Sequence, residues 1–103
     1  MKYTKKSDQA TVKQELEDTS PAVVRFYKKT CPACQMSAPA WDALDVPGYR
    51  VIAVEEQAIP PEVLTNLSAF PTYAVHDKKG NRHVTGAITE TALIKEKLGL
   101  GRS

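Results

Sequence analysis

The 103-residue sequence holds only two cysteines and two histidines. A structural zinc site takes about four ligands, and His76 and His83 are spaced unlike a common ligand pair, so no metal is expected and both histidines read as surface residues of a hairpin. No apolar run is long enough to cross a membrane. The charged start Met1-Lys2-Tyr3-Thr4-Lys5-Lys6 is not followed by the apolar stretch of a secretory signal. A basic block is also missing: Lys28-Lys29 and Lys78-Lys79 are isolated pairs of the kind that solvate turns, and the formal charge of +2 is close to balance. With no internal repeat, low-complexity stretch or evident linker, the expectation is one soluble domain over residues 1–103. It should be cytoplasmic and monomeric, and should partner neither nucleic acid nor membrane.

What the chain does have is Thr30-Cys31-Pro32-Ala33-Cys34, which contains both cysteines. Two thiols at this spacing can close a disulfide within one turn or supply half of a metal site. In a reducing compartment such a pair is catalytic or metal-binding more often than it is a staple.

Around this stretch the pattern alternates strands and helices. Lys2 to Lys5 reads as a short edge strand. Ser7 or Asp8 can cap a helix running to about Glu17, with Val12 and Leu16 one turn apart on its inner stripe. Ser20-Pro21 stops that helix, and Ala22 to Tyr27 has the β-branched and aromatic run of a strand covered on both faces. Arg25 is the residue that does not fit. Pro32 suits the first turn of a helix continuing to about Asp45, kinked at Pro39. Tyr49 to Glu55 is a second strand, Glu62 to about Asn66 a short helix, and Tyr73 to His76 a third strand. Asp77-Lys78-Lys79-Gly80-Asn81 is a turn by composition, which returns His83 to Thr85 as a hairpin. Thr89 is placed to cap a last helix carrying Leu93, Ile94 and Leu98, and Gly99 to end it. The fold class is therefore α/β, a central mixed sheet of four or five strands flanked by helices on both faces.

Cys31-Pro32-Ala33-Cys34 follows a buried strand and opens a helix, Pro39 lies five residues past the second cysteine, and Phe70-Pro71-Thr72 precedes a main strand. Gly80 falls in the hairpin turn and Gly86 in the last strand-to-helix connection. This ordered set resembles the thioredoxin superfamily over nearly the whole chain. The resemblance implies a thioredoxin fold and a thiol–disulfide oxidoreductase acting on protein disulfides. In that pattern Cys31 is the attacking thiol, Cys34 the resolving one, and Pro71 a cis-proline facing them. It also implies a substrate surface of Thr30, Pro32, Ala33, Phe70 and Pro71. No cofactor beyond the redox-active Cys31–Cys34 disulfide is implied, and the partner that restores the pair is a reductase or glutathione.

The sequence departs from ordinary thioredoxins in three places. Thr30 stands where a tryptophan is usual, and Pro32-Ala33 where Gly-Pro is usual. Arg25 aligns with the buried aspartate thought to relay the resolving thiol's proton. Thr-Cys-Pro-x-Cys is closer to glutaredoxins, which makes a glutathione-dependent enzyme the alternative, although the Pro39 helix and the absence of an adjacent double glycine speak against it. A fold-retaining binding module with weak redox activity is the alternative from another class.

Exchange needs a thiolate, and Cys31 at a helix N-terminus faces free N–H groups and the positive end of the dipole, both favouring the anion. Lys28 and Lys29 add positive potential. Arg25 either snorkels past the sheet edge to solvent or acts on the cysteines electrostatically. Tyr27 is expected to pack beneath the motif, and Trp41 and Met36 to be packing residues of the helix.

Overall fold

The computed structural model describes residues 1–100. Five strands form one sheet: β1 (Lys2–Tyr3), β2 (Ala22–Tyr27), β3 (Arg50–Glu55), β4 (Thr72–Asp77) and β5 (Gly80–Thr85), in the order β1-β3-β2-β4-β5. β1 and β2 each run parallel to β3, while β4 is antiparallel to both β2 and β5. The expected mixed sheet is present, and β2 lies at its centre.

Side chains alternate along β2, and each set meets a different layer. Ala22, Val24 and Phe26 pack with Val12 of α1 (Gln9–Glu17) and with Ile52 and Val54 of β3. Val63 and Leu64 of the one-turn α3 (Pro61–Leu64) rest on the same cluster. Val23 and Tyr27 join the opposite cluster, with Cys34, Ala40 and Trp41 of α2 (Pro32–Asp42) and Ile94 and Leu98 of α4 (Thr91–Leu98). All six residues of β2 are buried. Fully burying one aliphatic side chain contributes roughly 1.5–3 kcal/mol, so these two clusters hold the sheet between its helices.

Boundaries differ from expectation where local chemistry competes. α2 stops at Asp42, not near Asp45: the Leu44 N–H tightens onto the Trp41 carbonyl at 2.9 Å, and Leu44 and Val46 turn inward to the core. β1 is shorter than expected. Asp8 does not cap α1 with its side chain; its carboxylate instead accepts the Lys5 N–H at 3.1 Å, across a short 3-10 turn. Thr89 does not cap α4 either. Glu90 holds that position without a side-chain bond, and Thr91 Oγ1 donates to the Ala40 carbonyl at 2.7 Å, tying α4 to α2. Gly99 does end α4, at φ 68°, a left-handed conformation that leaves its N–H and that of Leu100 on the Glu96 and Lys95 carbonyls. Among the described residues no helix is long and apolar enough to cross a membrane.

Candidate active site

The site forms where β2 ends and α2 begins. A turn through Lys28-Lys29-Thr30 leads to Cys31, whose extended backbone (φ −84°, ψ 117°) makes it the capping residue of α2, with Pro32 at the first helical position where no N–H is needed. Cys31 Sγ accepts the N–H of Cys34 at 3.3 Å, as a serine or aspartate oxygen would at a helix start. Gln35 Nε2 donates to the Lys29 carbonyl at 2.9 Å and holds the turn against the helix.

Helical spacing separates the two thiols by depth. Cys34, Ser37, Ala40 and Trp41 form the buried stripe of α2, and Cys34 is 2% exposed. Cys31 sits one turn higher and is half-buried, and both thiols are free. Met36 lies off that stripe and is 69% exposed, so it is not the packing residue expected of it, whereas Trp41 is, tilted against Tyr73 with ring centroids 5.9 Å apart.

The thiols differ electrostatically as well. Cys31 is held below the ordinary thiol range, first by its hydrogen bond with the Cys34 thiol, then by the N–H groups of Cys34 and Ala33 and the charge of Lys28, against a smaller opposing effect of burial. Cys34 is pushed up, mainly by burial and then by the same thiol–thiol bond, while the Lys28 N–H at 3.5 Å and the Arg25 charge work in the other direction. The outer thiol is thus the easier to ionise and the inner one its proton-bearing neighbour.

Of the other predicted site residues, Phe70 and Pro71 come to the cysteines from across the chain. The Phe70–Pro71 peptide is cis, Pro71 is buried, and the Phe70 carbonyl oxygen lies 3.8 Å from Cys31 Sγ. Lys28 Nζ is 4.9 Å from the centre of the Phe70 ring and 3.6 Å from the Glu56 carboxylate. Thr30 and Pro32 are exposed and Ala33 half-buried around Cys31, and Lys29 is exposed. Tyr27 packs in the cluster that holds Cys34, and burial raises its hydroxyl above the usual phenol range.

Arg25 does not snorkel to solvent. It is 3% exposed, its Nη2 donates to the Cys34 carbonyl at 2.6 Å and to Ser37 Oγ at 3.0 Å, and its guanidinium carbon lies 4.8 Å from the centre of the Tyr27 ring. The reason is topological. β2 is the middle strand, so the side chain has two strands on either side and α2 above it.

Sequence reasoning missed Ser37 and Asp42. Ser37 is one helical turn past Cys34, and that i, i+3 spacing was the available signal; its hydroxyl joins Arg25 to the carbonyls of Ala33 and Cys34. Asp42 lines a cavity of about 270 Å³ behind Cys34, together with Arg25, Tyr27 and Trp41. A larger cavity of about 370 Å³, between α1 and the β4–β5 hairpin, includes neither cysteine. No cluster of three or more histidine, cysteine or acidic side chains able to hold a metal ion occurs among the described residues.

The sequence matches the family model described as Thioredoxin over residues 3–97. Among curated proteins none matches it. Among solved structures, a Plasmodium falciparum thioredoxin superposes with a TM-score of 0.72 at 19% identity, covering 94% of this chain and 95% of the other. Thioredoxin O2 from Arabidopsis thaliana, in its oxidized state, gives 0.72 at 19% identity over 94% and 93%. Thioredoxin from Malassezia sympodialis gives 0.71 at 16% identity over 94% and 87%. At these identities the structural likeness speaks for the fold, which is the five-stranded mixed sheet expected.

Proposed function

This chain belongs to the thioredoxin family of thiol–disulfide oxidoreductases, and we propose that it exchanges the disulfides of protein substrates through Cys31 and Cys34 by way of a mixed disulfide. The Cys31 thiolate attacks one sulfur of the substrate disulfide. That S–S bond breaks, a Cys31–substrate bond forms, and the second substrate sulfur leaves as a thiolate. Cys34 loses its proton to that leaving thiolate or to water and attacks Cys31 Sγ. The Cys31–Cys34 disulfide forms and the first substrate sulfur is released. The substrate gains two electrons, the pair loses two, and a reductase returns them.

The observation that carries this reading is the unequal pair. Cys31 is half-buried and easier to ionise than an ordinary thiol, first through its bond with the Cys34 thiol and then through the Cys34 N–H at 3.3 Å, while Cys34 is 2% exposed beneath it and harder to ionise. An outer nucleophile over an inner resolver is what a two-step exchange needs. Phe70, with its carbonyl against Cys31, is the edge on which an extended substrate backbone would lie, flanked by Thr30, Pro32, Ala33 and Pro71. Lys28 and Lys29 add positive potential at the turn, and Arg25 places a cation behind Cys34, favouring the thiolate that makes the second attack.

Reduction of a protein disulfide, coupled in turn to a thioredoxin reductase and to glutathione, tests the reading. Wild type should turn over, Cys31→Ser should be inactive, and Cys34→Ser should accumulate a mixed disulfide on Cys31. Turnover undiminished in Cys31→Ser would refute it, and efficient turnover with glutathione alone would move the chain to the glutathione-dependent reading.

A further inference from the structure

Arg25 is a buried cation that no carboxylate contacts, the nearest buried acid, Glu55 of β3, being turned to the Gln57 N–H. It is 3% exposed, yet none of the ion pairs among the described residues includes it. Both of its protein hydrogen bonds come from Nη2, and its Nε is buried with no acceptor. A carbonyl, a hydroxyl and the face of Tyr27 offset only part of what it costs to take a guanidinium out of water. The same guanidinium lines the cavity of about 270 Å³ behind Cys34, where Lys2, Lys28 and Lys29 add positive charge and Asp42 is the one acidic residue. A polar cavity of this size has room for a small ion with part of its hydration shell.

We propose that this cavity binds a small monovalent inorganic anion of the size of chloride against the Arg25 guanidinium, and that the bound anion slows closure of the Cys31–Cys34 disulfide. Arg25 is the one buried cation of the lining, Lys2 and Lys29 being exposed and Lys28 paired with Glu56, so a single negative charge suffices. A dianion would pay a far larger dehydration cost and would meet Asp42. The anion and the Cys34 thiolate compete for the same cation, so binding disfavours the thiolate that must attack Cys31. The first attack, by Cys31 on the Phe70 side, is left alone. The kinetic half of the proposal rests on the exchange cycle proposed above; the binding half does not.

Trp41 lines the cavity and is the chain's only tryptophan, so its fluorescence reports on occupancy without any turnover. Reduced protein is titrated with sodium chloride, with sodium gluconate holding ionic strength constant and a gluconate-only series as the reference. A saturable change in wild type, abolished in Arg25→Met and weakened in Arg25→Lys, is expected. A matching saturable rise in melting temperature should appear in wild type, so the test stands even if Arg25→Met does not fold. A flat or merely linear response in wild type, or the same saturation in Arg25→Met, overturns the site. Resolution of a preformed mixed disulfide on Cys31 should slow several-fold at saturating chloride, while alkylation of Cys31 keeps its rate. Unchanged resolution in protein that binds chloride overturns the kinetic half alone, and failure of exchange itself, seen in the Cys31→Ser comparison, leaves the fluorescence result intact.

Discussion

The guanidinium of Arg25 donates from Nη2 to the carbonyl oxygen of Cys34 at 2.6 Å. A strand residue at the centre of the sheet thereby grips the first turn of the helix that carries the thiols, and puts a positive charge behind the inner one. The charge opposes the burial that raises Cys34 and so favours the thiolate that must attack Cys31. Arg25→Met should therefore slow resolution of a mixed disulfide on Cys31 by roughly tenfold, the effect of about one pKa unit on the thiolate fraction. Rapid-quench release of the substrate thiol measures it, and an unchanged rate would show that the cation does not reach the pair. Because the charge is buried without a counter-ion, its removal should leave stability within about 1 kcal/mol of wild type, the lost hydrogen bonds offsetting the relief from desolvation.

The thiol–thiol hydrogen bond is the largest influence holding Cys31 down. Cys34→Ala, which removes it, should raise the Cys31 pKa toward that of an ordinary thiol, whereas Cys34→Ser keeps a donor and should raise it less. Thiolate absorbance against pH distinguishes the two. The sign for stability follows from the same shift: a depressed Cys31 stabilises the reduced fold fully above the ordinary thiol range and stops doing so as pH falls through its lowered value. Cys34, raised by burial, acts in the opposite sense, stabilising the reduced fold while it keeps its proton and losing that contribution as pH rises.

How far the sequence carried the reading depends on how local each feature is. The cysteine pair, the helix it opens and the alternation of strands and helices follow from residue type and spacing within a few positions, and all are present; the Pro71 neighbour, distant in sequence, is legible only through the family resemblance. Arg25 is less legible: its strand reads as central, but whether a long cation there reaches water or the first turn of α2 depends on how that helix packs across the sheet, which no local pattern gives. Met36 was misjudged because apolar character was given more weight than its angle on the helix, which sets it off the Cys34–Ser37–Trp41 stripe. Thr89 lost the cap of α4 to Glu90 one position on, where the chain is extended and Thr91 is already committed to the Ala40 carbonyl.

Away from the cysteines, Asp77 at the end of β4 is the most tightly held acid among the described residues. Arg82 donates to it from Nη1 at 2.9 Å and Nη2 at 3.0 Å, Tyr49 donates its hydroxyl, and the Lys79 N–H lies at 2.9 Å. The Arg82 bond above all, then the Tyr49 hydroxyl, holds the carboxyl well below the usual carboxylate range against the opposing effect of burial. The stability this confers is complete above the unfolded value of about 3.9 and is lost as pH falls through the depressed value in the fold. Acid unfolding of wild type should steepen below about pH 4. Asp77→Asn should cost about 1.5–3 kcal/mol at neutral pH by weakening its charge-assisted bonds with Arg82, and should flatten the acid limb, as urea unfolding across pH would record.

Lys28 separates what stabilises the fold from what tunes the site. Its ammonium touches the Phe70 ring and the Glu56 carboxylate, but its side chain is 40% exposed and that of Glu56 44%. Such a pair contributes less than about 1 kcal/mol, so Lys28→Gln should barely move the melting temperature. The same charge is among the smaller influences holding Cys31 down, and the Lys28 N–H on Cys34 Sγ belongs to the backbone and survives the substitution. The variant should therefore show a small rise in Cys31 pKa and a slower first attack on a disulfide flanked by acidic residues, with less change for a neutral substrate. Rates for a matched pair of peptide disulfides, one acidic and one neutral, read this directly. An equal loss on both would mean that Lys28 acts only through the thiolate and not by attracting the substrate.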